Sequence, residues 1–138
     1  MESCIFCQIV KGAIPSAKLY EDDAVLSFLD INPINPGHAL VIPKKHYATI
    51  LDVDDEDLKK VAAVTKLIAK AVKDALSCDG INILQNNFEA AGQLIHHFHI
   101  HVIPRFEGDG LKVWGGKPYK EGTMKEVQEK ILAAIKRQ

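Results

Sequence analysis

One run of seven residues limits the fold of this chain more than any other: His97-Phe98-His99-Ile100-His101-Val102-Ile103. In a β-strand successive side chains point to opposite faces, so His97, His99 and His101 project together while Phe98, Ile100 and Val102 project to the other side. The run reads as a half-buried strand over residues 97–104, with one face for packing and one for chemistry. Packing alone would put aliphatic residues at the three histidine positions, because a buried imidazole needs hydrogen-bond partners. All six histidines of the chain fall into two groups, His38 with His46, and His96 with the alternating three. His96 lies outside the alternation and reads as an exposed loop residue.

Around that strand the sequence reads as an α+β domain. Alternation and β-branched or aromatic content predict further strands over 18–21, 24–30, 38–43 and 81–85. Glu21-Asp22-Asp23 reads as a hairpin turn, and residues 32–37 as the loop before the third strand. A short helix is expected over 4–11, capped by Ser3 and ended by Gly12. Leu58, Val61, Ala62, Thr65, Ile68, Ala69 and Val72 recur at helical spacing and predict one long amphipathic helix over 54–76. Val127, Ile131 and Ile135 mark a terminal helix over 124–136. Strands, helix, strands, helix in that order give an antiparallel sheet with a helix packed on one face, not a doubly wound parallel sheet. A chain of 138 residues with no repeat or linker is expected to form one domain over 1–138, with a core at 4–105 and a tail and helix at 106–138.

Bulk properties remove several function classes. A formal net charge of -1 argues against a polycationic surface and so against nucleic acid as a partner. No apolar run approaches the roughly 20 residues that span a bilayer, and the start lacks a signal-like pattern, so no membrane partner and a cytoplasmic location are expected. Three cysteines do not make a disulfide framework. Cys4 and Cys7 form a C-x-x-C pair that reads as metal-binding or redox-active, and Cys78 reads as a lone thiol.

The alternating histidines do not read as one metal site. Strand positions two apart are separated by about 6.6 Å, which puts His97 and His101 about 13 Å apart, too far for one zinc ion with bonds near 2.1 Å. Imidazole serves equally as nucleophile, acid–base group and hydrogen-bond donor near neutral pH, because its ordinary pKa is about 6.5. The thiols sit at i and i+3 on the first helix and share a face, where the helix N-terminus favours thiolate. Two thiols and two imidazoles make a closed tetrahedral zinc set, whereas a thioredoxin-type redox pair follows a strand in a βαβ context that is absent here.

The seven-residue run has the form H-φ-H-φ-H-φ-φ, with φ apolar. Together with Asn86, Gly92-Gln93, the stretch Gly37-His38-Ala39-Leu40-Val41-Ile42-Pro43-Lys44-Lys45-His46, Ile5-Phe6 and Asp30, it resembles the histidine-triad (HIT) family over most of residues 4–105. The resemblance implies that His99 attacks a nucleotide α-phosphorus and forms a covalent nucleotidyl-histidine that water hydrolyses. It implies that His101 contacts the phosphate or leaving group and that His38 orients the nucleophile. Asn86 and Gln93 match positions that hydrogen-bond the phosphate and leaving-group side, and Asp30 matches the carboxylate that holds the ribose hydroxyls. Ile5, Phe6, Ile9, Phe28, Ile31 and Leu40 match the apolar lining around the base. Members with C-x-x-C at this place resemble zinc-binding forms in which His46 and His97 would complete the ligand set with Cys4 and Cys7, giving one structural zinc per chain and no organic cofactor.

The implied function is hydrolysis of a purine nucleoside phosphoramidate or related nucleotide, with a small-molecule purine nucleotide as partner. Leu94 stands where many nucleoside-phosphoramidase relatives have a small hydroxyl residue, and Pro104-Arg105 is similar to the dinucleoside polyphosphate branch, which is the alternative activity. A nucleotide-binding module without turnover and a hydrolase using zinc-bound water are the other readings. The resemblance also implies a two-fold homodimer with a joined sheet, with the tail near Trp114 reaching the partner's site. The 62–72 part of the long helix and the strand edge at Gln85 and Asn86 offer the surface for it.

Overall fold

The structure is a computed structural model and describes residues 3–138. Its elements run α1 (Ile5–Val10), β1 (Lys18–Glu21), β2 (Val25–Leu29), β3 (Ala39–Pro43), α2 (Asp55–Leu76), β4 (Gly80–Leu84), β5 (Ile100–Arg105) and α3 (Thr123–Lys136). The strands form one antiparallel sheet in the order β1-β2-β3-β5-β4. The hairpin between β1 and β2 closes on Asp22, whose Oδ1 accepts from the N–H groups of Ala24 and Val25, each at 2.8 Å.

The sheet has a core on each face. On one, Val61, Val64, Ile68 and Val72 of α2 pack with Val41, Phe98 and Val102. On the other, Phe6 of α1 packs with Leu26, Phe28, Leu40 and Ile42. The α2 stripe differs from the sequence expectation at two places, since Val64 is buried and Ala62 is exposed. Asp54 caps α2, its side chain accepting from Asp57 N–H at 2.8 Å. At the far end, the Gly37 turn lies against Leu76. Gly37 has φ +99°, a conformation that favours glycine, and a Cβ there would also press on the Leu76 side chain.

Two further expectations are corrected. The cap of α1 is Cys4, not Ser3: the Cys4 thiol accepts from Cys7 N–H at 3.4 Å. The strand expected over 97–104 begins only at Ile100, and His97 to His99 lie outside the ladder. Pro43 gives the reason. The His38 carbonyl and Lys44 N–H bond across to β2, so alternate residues of β3, Pro43 among them, face β5. Continuing the register of Val41 opposite Ile100 would set Pro43 opposite Phe98, where proline has no N–H to give. The Phe98 N–H turns instead to Tyr47 O at 2.7 Å, and the Pro43 carbonyl accepts from His97 Nε2 at 2.9 Å.

The alternation nevertheless holds. Phe98 and Val102 enter the α2-side core, and the three histidines line up on the other side with ring centroids of His99 and His101 4.8 Å apart. One register row crosses four strands as Phe28, Leu40, His101 and Leu84, which places His101 beside the aromatic and aliphatic wall of the α1 side. Helix α3 carries Met124, Val127, Ile131, Leu132 and Ile135 with 37–61% exposure and buries none of its residues within the one chain. Among the described residues no helix is long and apolar enough to cross a membrane.

Candidate active site

Backbone groups fix the protons on His99 and His38, and His38 in turn fixes that on His101. His99 is 6% exposed, and its Nδ1 lies 2.7 Å from the His97 carbonyl. A carbonyl only accepts, so Nδ1 carries the proton and Nε2 keeps a free lone pair. His38 is the reverse case. Its Nδ1 accepts from Ile34 N–H at 3.1 Å, so its proton sits on Nε2, which donates to His101 Nδ1 at 2.9 Å. His101 in turn carries its proton on Nε2. The arrangement offers a nucleophilic nitrogen on His99 beside a donor on His101.

Burial is the first cause that keeps these rings neutral. It lowers His38 against the opposing pull of Asp30, and lowers His99 against the His97 carbonyl. His101 falls to about 4 through burial and then through the like charges that His99 and His38 would carry. Asp30, His38 and His101 bring donor atoms within 4.8 Å of one another, but the shared proton between His38 and His101 makes this a hydrogen-bonded relay, not a set of free lone pairs for a metal.

Next to the triad lies a cavity of about 110 Å³. It is lined by all six of the apolar residues singled out in the sequence, Ile5, Phe6, Ile9, Phe28, Ile31 and Leu40, and by Asp30. Ile14, Pro15, Ser16 and Leu29, which the sequence reading missed, complete its wall; the chain turn after Gly12 was the one signal for the first three. The Phe6 ring meets His99 edge-on, with centroids 5.1 Å apart. One Asp30 oxygen accepts from Asn32 N–H at 2.9 Å, and the other lies 3.8 Å from His38 Nε2.

Asn86 has no side-chain hydrogen bond among the described residues and borders the Gly92 turn. Gln93 is 2% exposed, and its amide is committed to backbone: Nε2 donates to Ala48 O at 2.6 Å and Ile95 O at 3.2 Å, while Oε1 accepts from Phe88 N–H at 2.8 Å. In this structure Gln93 braces the loop that carries Asn86. Phe88 on that loop has φ +72°, and Leu94 is 85% exposed. His96 is exposed, as expected.

The second cluster gathers Cys4, Cys7, His46 and His97, with all donor atoms within 4.8 Å of one another. Cys4 Sγ and Cys7 Sγ lie 3.4 and 3.6 Å from His97 Nδ1, and Cys7 Sγ lies 3.4 Å from His46 Nδ1. Tetrahedral zinc with bonds of 2.0–2.3 Å holds its donors about 3.4–3.8 Å apart, so the spacing fits. The chemistry fits as well. His97 gives its Nε2 proton to Pro43 O, which leaves the Nδ1 lone pair toward the thiols. Burial, and then the Cys4 thiol, push the Cys7 thiol up when no cation is shared, so a cation is what would favour its thiolate.

The chain resembles known proteins along nearly its whole length. The HIT domain matches residues 11–108. The chain belongs to the HIT family. A crystal structure of a HIT-family member from Bacillus subtilis has a TM-score of 0.88 and 41% identity, covering 95% of this chain and 96% of that one. An adenosine 5'-monophosphoramidase of Schizosaccharomyces pombe is 43% identical over 97% of this chain and 99% of its own length. A zinc-bound HIT protein from Mycobacterium smegmatis has a TM-score of 0.77 and 38% identity, covering 99% of both chains. The α+β fold is that of the HIT family, whose relatives named here include an enzyme acting on a nucleotide.

Proposed function

We propose that this HIT-family chain hydrolyses a purine nucleoside phosphoramidate, or a closely related nucleotide, at its α-phosphate through a covalent nucleotidyl-His99. The free Nε2 of a buried, neutral His99 carries the reading. The adjoining apolar cavity suits a base, and Asp30 at its edge suits two ribose hydroxyls.

In the first step His99 Nε2 forms a bond to phosphorus and the bond from phosphorus to the leaving amine breaks. The ring becomes cationic, and its Nδ1–H to the His97 carbonyl stabilises that charge. His101 Nε2–H donates to the phosphoryl or leaving-group side. It acts as a hydrogen-bond donor and not as the net proton source, because the relay behind it ends on His38 Nδ1, which is already an acceptor for Ile34 N–H. The leaving amine therefore takes its proton from a water molecule, which becomes hydroxide. That hydroxide equivalent then forms a bond to phosphorus as the phosphorus–nitrogen bond to His99 breaks, releasing the nucleoside monophosphate and a neutral His99.

Cys4, Cys7, His46 and His97 would hold one zinc ion as a closed structural set, and its chemistry there is to bind thiolates and fix the fold. Two copies pair, in this reading, along the outer edge of β4, which bonds only to β5 within the described residues. Ile83 and Leu67, 48% and 49% exposed, are apolar surface available to that contact. Light scattering at low micromolar concentration is expected to give the mass of two chains, and a single-chain mass contradicts the pairing.

Rapid mixing with adenosine phosphoramidate and a neutral or alkaline quench tests the chemistry. The expected result is an AMP-mass adduct on a peptide containing His99, with net retention of configuration in a chiral phosphorothioate substrate. Inversion, with no adduct, assigns attack to water and defeats the nucleophile. A panel that also includes diadenosine tetraphosphate separates the two candidate leaving groups.

A further inference from the structure

We propose that the Cys4, Cys7, His46 and His97 cluster, when it holds its metal ion, positions both the nucleophile and the nucleotide cavity, with His97 and Phe6 as the residues that carry its influence. This rests on the zinc reading above.

Two covalently short paths lead from the cluster into the active site. The first is His97. Its ring is fully buried and held at both nitrogens, Nε2 by the Pro43 carbonyl and Nδ1 by the thiols. The carbonyl of the same residue sets the tautomer of His99 from 2.7 Å. A shift of the ring moves that carbonyl, which among the described residues is the one hydrogen-bond partner that keeps His99 Nε2 unprotonated.

The second path is α1. Residues 4–7 read thiol, wall, wall, thiol: Cys4 and Cys7 face the cluster, while Ile5 and Phe6 line the nucleotide cavity. Helix α1 has only six residues, too short to be stable unaided, and buries only Phe6 and Cys7. Without a shared ion its end is held by contacts to sulfur, which are weak hydrogen bonds. Phe6 then touches three parts of the site, with ring centroids 5.5 Å from Phe28, 5.8 Å from His97 and 5.1 Å from His99.

The global fold does not depend on these contacts in the same way. The core between α2 and the sheet contains none of the four ligands. Loss of the ion should therefore leave that core and release α1 and the His97 carbonyl. The positional effect comes in addition to the stability that the ion lends the whole fold, and it is read separately from it.

The experiment compares the zinc-loaded full chain, the chelator-stripped chain and the stripped chain with zinc restored. Three readouts are used: AMP affinity by calorimetry, amide exchange in α1 and α2, and nitrogen NMR of the histidine rings to report the His99 tautomer. Stripping is expected to weaken AMP binding by about tenfold, the lower end of what is lost when the groups that orient a site's residues are removed. It should also speed exchange in α1 well beyond any change in α2, and give His99 a mixture of tautomers, with all three reversed by zinc. AMP affinity within about twofold and an unchanged tautomer in a folded, stripped chain would overturn the coupling while leaving the metal site intact. A chain that binds no zinc removes the metal reading itself and the coupling with it.

If stripping unfolds the whole chain, cadmium serves as the second probe, since it takes the same donors at longer bonds to sulfur. The cadmium-loaded chain should then show a lower kcat and weaker AMP binding than the zinc-loaded chain with the same far-ultraviolet spectrum. Equal values for the two metals overturn the proposal. Phe6→Leu, which leaves all four ligands in place, is expected to weaken AMP binding at full metal content. Unchanged binding in that variant removes Phe6 from the path.

Discussion

The two histidine clusters use the same side chain for opposite ends, and the difference lies in what the backbone asks of each ring. At His97 a carbonyl takes the Nε2 proton, which leaves a lone pair toward two thiols. At His38 an N–H donor occupies Nδ1, which forces the proton onto Nε2 and turns the ring into a donor toward His101. An acceptor makes a ligand of a histidine, and a donor makes a relay member of it. Residue type alone carries neither message.

Replacing His99 attacks the comparison at its centre and should have the largest effect. His99→Ala is expected to reduce turnover by about a thousandfold or more, in the range of lost nucleophiles, while AMP binding persists through Asp30 and the cavity. Turnover near the parent level with the same products would remove His99 from the chemistry.

Breaking the ligand cluster should act on stability. Cys4→Ala is expected to cost more than about 2 kcal/mol, compared with under about 0.5 kcal/mol for an ordinary surface change. Thermal melting with elemental analysis checks it: a variant that melts with the parent, or a parent that carries no zinc, contradicts the assignment.

Breaking the relay should act on rate. His38→Phe leaves His101 without the donor that fixes its tautomer, and kcat is expected to fall by about ten- to a hundredfold with zinc content unchanged. A variant that loses its zinc would mean that the two clusters are not separable in this way.

The most gradual effect is on pH dependence. Folded His38 and His101 are held neutral, His101 down to about 4, whereas both take up protons near pH 6.5 once the chain unfolds. Below that pH the unfolded chain binds more protons. Stability is therefore complete above about pH 6.5 and falls as the pH drops toward 4, by at most about 1.4 kcal/mol per pH unit for each ring. Urea unfolding at about pH 7 and about pH 5 measures it, and His101→Ala should flatten the slope. An equal slope in that variant would assign the acid sensitivity elsewhere.

Much of the fold could be read from the sequence because it follows from period alone. The alternation from His97 to Ile103 and the helical spacing from Leu58 to Val72 are dictated by burial on one side. That the six apolar residues gather around one cavity was legible only through the family resemblance, since residues spread from position 5 to position 40 show no local pattern. What could not be read depends on tertiary partners. Nothing local to Gln93 says that its amide will be spent on Ala48, Ile95 and Phe88. Nothing in the thiol spacing says that Cys4 will cap the helix it also anchors. The early end of the strand was written in the sequence at Pro43, but in the partner strand and not in the run of histidines itself.

That proline has a consequence for how the chain can vary. It halts the pairing of β3 with β5 just short of His99, and so measures where that ring stands by counting residues from a fixed stop. A residue inserted between Ile100 and Pro104 would advance that count by one and exchange the two faces of everything upstream, sending His99 toward α2 and Phe98 toward the cavity. The segment over 106–122 has no ladder to keep in step and lies largely exposed. Tolerance of length change should therefore divide sharply within a few residues of Arg105: nearly absent before it, and broad after it.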